Sequence, residues 1–152
     1  MGVLRRVLFA CSVGILFAGP LLAQSMAEEA AGWGLLGTWA LDCTVPASRS
    51  NAYLSYVREG DALIHRRDFG DTRDEHPIDA VKVLADGSLE IVITLSLANA
   101  SQVRTLVLQK EGKGKMRAMM NRDEAGNYSI RDGKFMDGQP SAVQSRCNAA
   151  TG

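Results

Sequence analysis

From residue 36 onward the chain alternates apolar and polar positions in short runs, separated by turn-forming residues. The clearest run is 88–97, where Leu89, Ile91, Ile93, Leu95 and Leu97 share one side against Glu90, Thr94 and Ser96. A period of two is the mark of a strand with one buried face. In the run 102–110, Arg104, Leu106, Leu108 and Lys110 oppose Val103, Thr105 and Val107, so this strand is expected to be partly covered on both faces. Further strands are expected at 36–45, 52–58, 61–69, 77–85, 115–121, 127–132 and 142–147. Between them lie Glu59-Gly60-Asp61, Gly70 to Pro77, Asp86-Gly87, Ala98 to Ser101, Glu111 to Gly114, Arg122 to Asn127 and Asp132-Gly133. Asp86-Gly87 reads as a two-residue hairpin turn. No helical period is sustained after residue 34. This rhythm predicts an all-β fold, a small antiparallel up-and-down β-barrel of about eight or nine strands. A β-sandwich is the alternative, because alternation does not report closure.

The first residues carry a different pattern. Arg5 and Arg6 precede an apolar run from Val7 to Leu22 that is interrupted by Ser12, Gly14, Gly19 and Pro20. A basic start, an apolar run and a small-residue exit are the parts of a secretory signal. Ser25-Met26-Ala27 predicts cleavage after Ala27, with a cut after Ala23 as the second choice. The run approaches the length of a membrane span, but its glycines, its proline and its exit favour cleavage over an anchor. Leu8-Phe9-Ala10-Cys11 has a bulky Phe9 where a lipoprotein box wants a small residue, and the Arg5-Arg6 pair lacks the surroundings of a twin-arginine signal. The expected organisation is a signal peptide at 1–27, an N-terminal leader at 28–35 that is loose or a short turn of helix with Trp33 packed on the domain, a barrel domain at 36–148 and a tail at 149–152. The expected location is periplasmic or secreted, with no stable membrane insertion after cleavage.

Charge and cysteine usage refine this picture. The whole chain has 17 basic and 17 acidic residues; without residues 1–27 it loses Arg5 and Arg6 and no acid, which leaves a net charge of −2. That balance argues against nucleic acid as a partner. Cys43 and Cys147 are the two cysteines beyond the signal. In an oxidising compartment an even pair predicts a disulfide. A redox or metal-binding thiol pair would normally lie closer in sequence. The bridge would join the first and last strands.

Gly37-Thr38-Trp39 at the head of the first strand resembles the Gly-x-Trp motif of lipocalins and related calycins. Arg146, beside Cys147, resembles the basic residue that packs on that tryptophan late in the family's chain. The resemblance covers these two patches and implies a lipocalin-like barrel, closed by Trp39 as a plug. The segments Leu36 to Cys43 and Ser145-Arg146-Cys147 are also similar to small exported proteobacterial proteins of uncharacterised function, which implies a periplasmic setting and no activity.

Candidate chemistry is sparse. The stretch His65 to His76 holds both histidines and several carboxylates, interleaved with three arginines. A solvated loop of compensating charges is the expected reading; if a metal binds, His65, Asp68 and His76 are its ligands. The spacing matches no calcium loop, and no Gly-x-Ser-x-Gly elbow is present. Gly112-Lys113-Gly114-Lys115 reads as a hairpin tip and not as a phosphate loop, since no helix follows it; Lys110, Lys113, Lys115 and Arg117 make a small basic cluster there. Tyr53 and Tyr56, with Trp39 and Arg146, are the candidate ligand-binding residues, because aromatic rings with polar handles suit a ligand mouth. The expected function is a non-enzymatic exported binding protein without a cofactor, holding a small apolar ligand or docking on an envelope protein. A protein–protein interaction factor, such as an inhibitor of an envelope hydrolase, is the alternative, and an enzyme or metal carrier ranks last.

Overall fold

The run at 88–97 has one dry and one wet side: Leu89, Ile91 and Ile93 keep 0%, 0% and 1% of their exposure. The computed structural model describes residues 25–97 and 100–148. The expected signal as far as Gln24, the turn residues Ala98 and Asn99, and the tail 149–152 lie outside the described residues. In chain order the elements are α1 (Met26–Trp33), β1 (Gly37–Ala40), β2 (Tyr53–Glu59), β3 (Ala62–Asp68), β4 (Arg73–Val83), β5 (Leu89–Leu97), β6 (Ala100–Lys110), β7 (Lys115–Asp123), β8 (Tyr128–Arg131), β9 (Lys134–Phe135) and β10 (Val143–Cys147).

Each strand from β1 to β8 pairs antiparallel with the next, and β10 pairs with β1 on one edge and β7 on the other. Strands β1 to β7 and β10 therefore close an eight-stranded barrel, which excludes the sandwich. Strand β7 serves two neighbours. Lys115 and Arg117 pair with Ser145 and Val143 of β10, while Asn121 pairs with Ile130 of β8. The register shifts at Asn121/Arg122, and such an irregularity lets a strand bend out of a barrel wall. The β8–β9 hairpin then folds back: Gly133 N–H donates to Met119 O at 2.9 Å, and Ser141 Oγ donates to Ala118 O at 2.6 Å.

Every barrel strand except β10 sends a side chain into one buried cluster: Trp39, Tyr56, Leu63, Ile78, Val81, Leu89, Ile91, Ile93, Leu108 and Met116. Of the two forms expected for the leader, the helical one is present, and it starts at Met26. Ser25 and Glu28 form a reciprocal capping box, and Gly34, at φ 91°, ends the helix. Ala27, Ala30 and Trp33 fall on one helical face and are buried. Trp33 Nε1 donates to Gly87 O at 2.9 Å, and Val83 N–H donates to Glu29 Oε1 at 2.7 Å. Helix α1 thus docks on the β4–β5 hairpin and covers one end of the barrel.

Several boundaries differ from expectation for local reasons. Strand β1 stops at Ala40 because Asp42 turns the chain: its carboxylate accepts from the Thr44 N–H at 2.8 Å and hydroxyl at 2.6 Å. Strand β4 begins at Arg73 and not near Pro77, so most of the expected charged loop is strand. The β4–β5 connection is a three-residue loop, closed where Leu84 N–H donates to Ser88 O at 2.8 Å. Gly87 sits in it at φ 82°, the left-handed position of a type I turn with a bulge. The two-residue strand β9 has too few residues to show a period.

The expected disulfide is present between Cys43 and Cys147, with Cα atoms 5.4 Å apart and 104 residues of separation. Cys147 pairs with Thr38 on β1, whereas Arg146 pairs with Trp39. The bridge therefore lies on the face of the wall opposite Trp39 and straps the segment after β1 across the β1–β10 seam.

Candidate functional site

Cross-strand register brings together residues that are scattered in sequence. Tyr56 of β2 pairs with His65 of β3, which pairs with His76 of β4. All three face the interior, at 2%, 5% and 1% exposure. The Tyr56 and His65 rings stack with centroids 4.7 Å apart. Ser96 N–H donates to His76 Nδ1 at 3.1 Å, which leaves the His76 ring proton on Nε2 in the neutral imidazole. Nε2 lies 3.1 Å from Asp74 Oδ1, outside hydrogen-bond alignment. Asp74 is gripped by the Arg67 guanidinium, with Nε and Nη2 donating at 2.7 and 2.6 Å. That guanidinium, foremost, holds the Asp74 carboxyl below its ordinary range. Burial pushes the Tyr56 phenol up.

Burial, reinforced by Arg67 and His76, lowers the His65 imidazole to about 3. Its Nδ1 is buried without a hydrogen-bond partner. The unfolded chain takes up a proton here near pH 6.5, so between about pH 6.5 and pH 3 the folded state holds less of that proton than the unfolded state. Stability is complete above pH 6.5 and falls as the pH drops below it, by about 2 kcal/mol at pH 5. Urea unfolding at pH 7.5 and pH 5 is expected to show this loss in the native protein and a smaller one in His65→Gln. Equal losses in both proteins would remove His65 as the cause.

The expected metal trio is divided. His65 and His76 meet inside, but Asp68 lies on the other face of β3, accepting from Gly70 N–H and Arg73 Nε at 2.8 and 2.9 Å. Among the described residues no group of three metal-ligating side chains converges. The outward charges form a paired surface, in which Arg66 binds Glu59 and Glu75, and Arg49 binds Asp71.

The four expected ligand residues also separate. Tyr56 is inside. Tyr53, of opposite parity on β2, donates its hydroxyl to Val45 O at 2.7 Å. Neighbouring Asn51 is 6% exposed; it accepts from Asp42 N–H and donates to Asp42 O, pinning the β1–β2 connection. Trp39 and Arg146 do meet, at the end covered by α1: the guanidinium carbon lies 5.5 Å from the ring centre, and Trp39 Nε1 donates to Leu35 O at 2.8 Å. Gly37, at φ 127°, leaves the space, since a Cβ there would lie 3.2 Å from Arg146 Nε.

A cavity of about 190 Å³ opens at the other end, beneath the β8–β9 hairpin. Leu54, Leu106, Leu108 and Ala118 supply apolar walls, with Tyr56, Ile130, Phe135 and Gln144 among the other lining residues. Asn121 also lines it, and its Oδ1 is buried without a hydrogen-bond partner. The sequence pattern gave no signal for Asn121, because the register shift beside it sets which way it faces. The chain matches no family model, no curated protein and no solved structure.

Proposed function

We propose that the protein is an exported, non-enzymatic binding barrel whose mouth holds a small apolar molecule carrying one hydrogen-bond donor. The unpartnered Asn121 Oδ1 in a mainly apolar cavity carries this reading. A buried acceptor without a partner costs about 1–3 kcal/mol, and a ligand N–H or O–H would recover it. At about 190 Å³ the cavity is below the roughly 300–1,000 Å³ of drug-sized sites, so the ligand is small or only partly enclosed. Tyr56 forms part of the lining and backs onto His65, which ties the mouth to the interior polar row. The stacking of Arg146 on Trp39 is the contact that the lipocalin resemblance implies, and it supports a lipocalin-like closure.

Export is supported by the signal-like first residues and by the disulfide, which persists in oxidising compartments. A cut after Ala27 would remove the Ser25 cap and the buried Ala27, whereas a cut after Ala23 keeps the whole helix. Mature protein beginning at Gln24 is therefore expected.

Mass spectrometry of the protein from its native host, under gentle and then denaturing conditions, tests both points. The expected result is a chain starting at Gln24 that carries a small organic mass, lost on denaturation and depleted in Asn121→Leu. A chain starting at Glu28 would refute the processing site. A native protein with no retained mass, or equal retention in the variant, would count against the mouth as the ligand site. A second reading, a docking factor for an envelope protein, draws on Phe135 and Met136, which remain 42% and 66% exposed beside the mouth.

A further inference from the structure

The covered end of the barrel holds a second recess, of about 230 Å³, remote from the mouth. Its floor is Trp33 and Trp39, both nearly buried, and its rim is Lys110, Lys113, Lys115 and Arg146. The β6–β7 hairpin tip supplies Lys113 and Lys115, the end of β6 supplies Lys110, and the seam strand β10 supplies Arg146. Two segments distant in sequence, the β6–β7 turn at 110–115 and β10, thus deliver four cations to one recess, and no carboxylate lines it.

This clustering is at odds with the rest of the molecule. Basic and acidic residues balance over the whole chain, and seven arginines elsewhere are within salt-bridge distance of a carboxylate. Among the described residues, none of the four rim cations has such a carboxylate partner. The nearby acids are engaged: Glu111 contacts Arg117 at 3.2 Å, and Glu29 accepts the Val83 N–H. Two rim cations rest on the indoles, Lys110 Nζ at 4.9 Å from the Trp33 centre and Arg146 Cζ at 5.5 Å from the Trp39 centre. Arg146 also donates to Leu36 O, which fixes the guanidinium in place. Gathering like charges without counter-charge is unfavourable, and an anion in the recess removes the repulsion.

We infer that this recess binds a multivalent oxyanion, of the phosphate monoester or diphosphate class. A single carboxylate would leave most of the positive charge unneutralised. Three lysine ammoniums, as compact donors on flexible stems, suit the several oxygens of a phosphate. The indoles lie under the cations, so they do not offer an open face for stacking a base. Recognition therefore rests on charge and oxygen donors, and the phosphate is either free in solution or the head of a lipid.

Titration of the mature protein with inorganic pyrophosphate at low ionic strength, followed by calorimetry and tryptophan emission, tests the inference. Saturable binding is expected, weakening as salt is added. Lys113→Ala with Lys115→Ala should weaken it at least about tenfold, while Lys82→Ala with Lys134→Ala, which removes equal charge elsewhere, should leave it within about twofold. Circular dichroism of both variants reports retained folding, since all four lysines are exposed. A second arm uses phosphatidylcholine vesicles with and without phosphatidic acid. Binding only to the phosphatidic acid vesicles, and its loss in the Lys113/Lys115 variant, would support the same site with a lipid source. No binding in either arm, or binding that both double variants retain or lose alike, would overturn the inference.

Discussion

Replacing Cys43 and Cys147 together by serine is expected to lower the folding free energy by about 4–5 kcal/mol. The bridge spans 104 residues of separation, and closing a loop of that size restricts the unfolded chain by about that amount. A domain of this size has about 5–15 kcal/mol in total, so the loss is a large part of the whole. The folded state also loses a local strap. The chain leaves β1 at Ala40 and returns across the seam to reach Cys147, and Cys43 Sγ lies 3.6 Å from Ser145 O. Denaturant unfolding with and without reductant, alongside the double variant, measures the effect. A double variant that kept the full stability of the oxidised protein would show that the seam holds without its strap.

Trp39→Ala is expected to cost about 3–5 kcal/mol, the range for removing a large buried aromatic side chain. The residue is 4% exposed within the main buried cluster. Its loss also strands Leu35 O, the acceptor of the indole N–H, and removes the surface on which Arg146 rests. Trp39→Phe keeps a ring at the same place and forfeits the hydrogen bond, so about 1–2 kcal/mol is expected. Thermal and chemical unfolding of the two variants should rank them in that order. An alanine variant within about 1 kcal/mol of the native protein would mean that Trp39 does not plug the covered end.

Much of the fold was legible because inward and outward positions alternate cleanly. Leu89, Ile91 and Ile93 announced the buried face of β5, and the Cys43–Cys147 pair announced the seam. The 65–76 stretch shows where reading by composition fails. As a list of charges it looks like a solvated loop, yet it has mirror symmetry about Gly70-Asp71. His65 faces His76, Arg66 faces Glu75, Arg67 faces Asp74 and Asp68 faces Arg73. Opposite charges at equal distances from a glycine-containing turn are the pattern of cross-strand pairs in a hairpin. That signal was present in the sequence. Parity then sends His65, Arg67, Asp74 and His76 inward and the others out, which separates Asp68 from the histidines. The mouth cavity had no comparable signal. It depends on the register shift at Asn121/Arg122 and on a β8–β9 hairpin too short to show a period. The Trp39–Arg146 contact was legible only as a resemblance, since the two lie at opposite ends of the chain.

Strand β10 gives the protein a direction in time. The wall from β1 to β7 is a meander in which every strand pairs with its predecessor, so its contacts can form as the chain emerges. Only β10 turns this sheet into a barrel, and it follows every other strand among the described residues. It is held by three residue pairs on each side, against nine between β5 and β6. Until it docks, β1 and β7 are bare edges of the kind that recruit other chains. The Cys147 thiol sits on that same closing strand, so oxidation locks the barrel only once β10 has met β1.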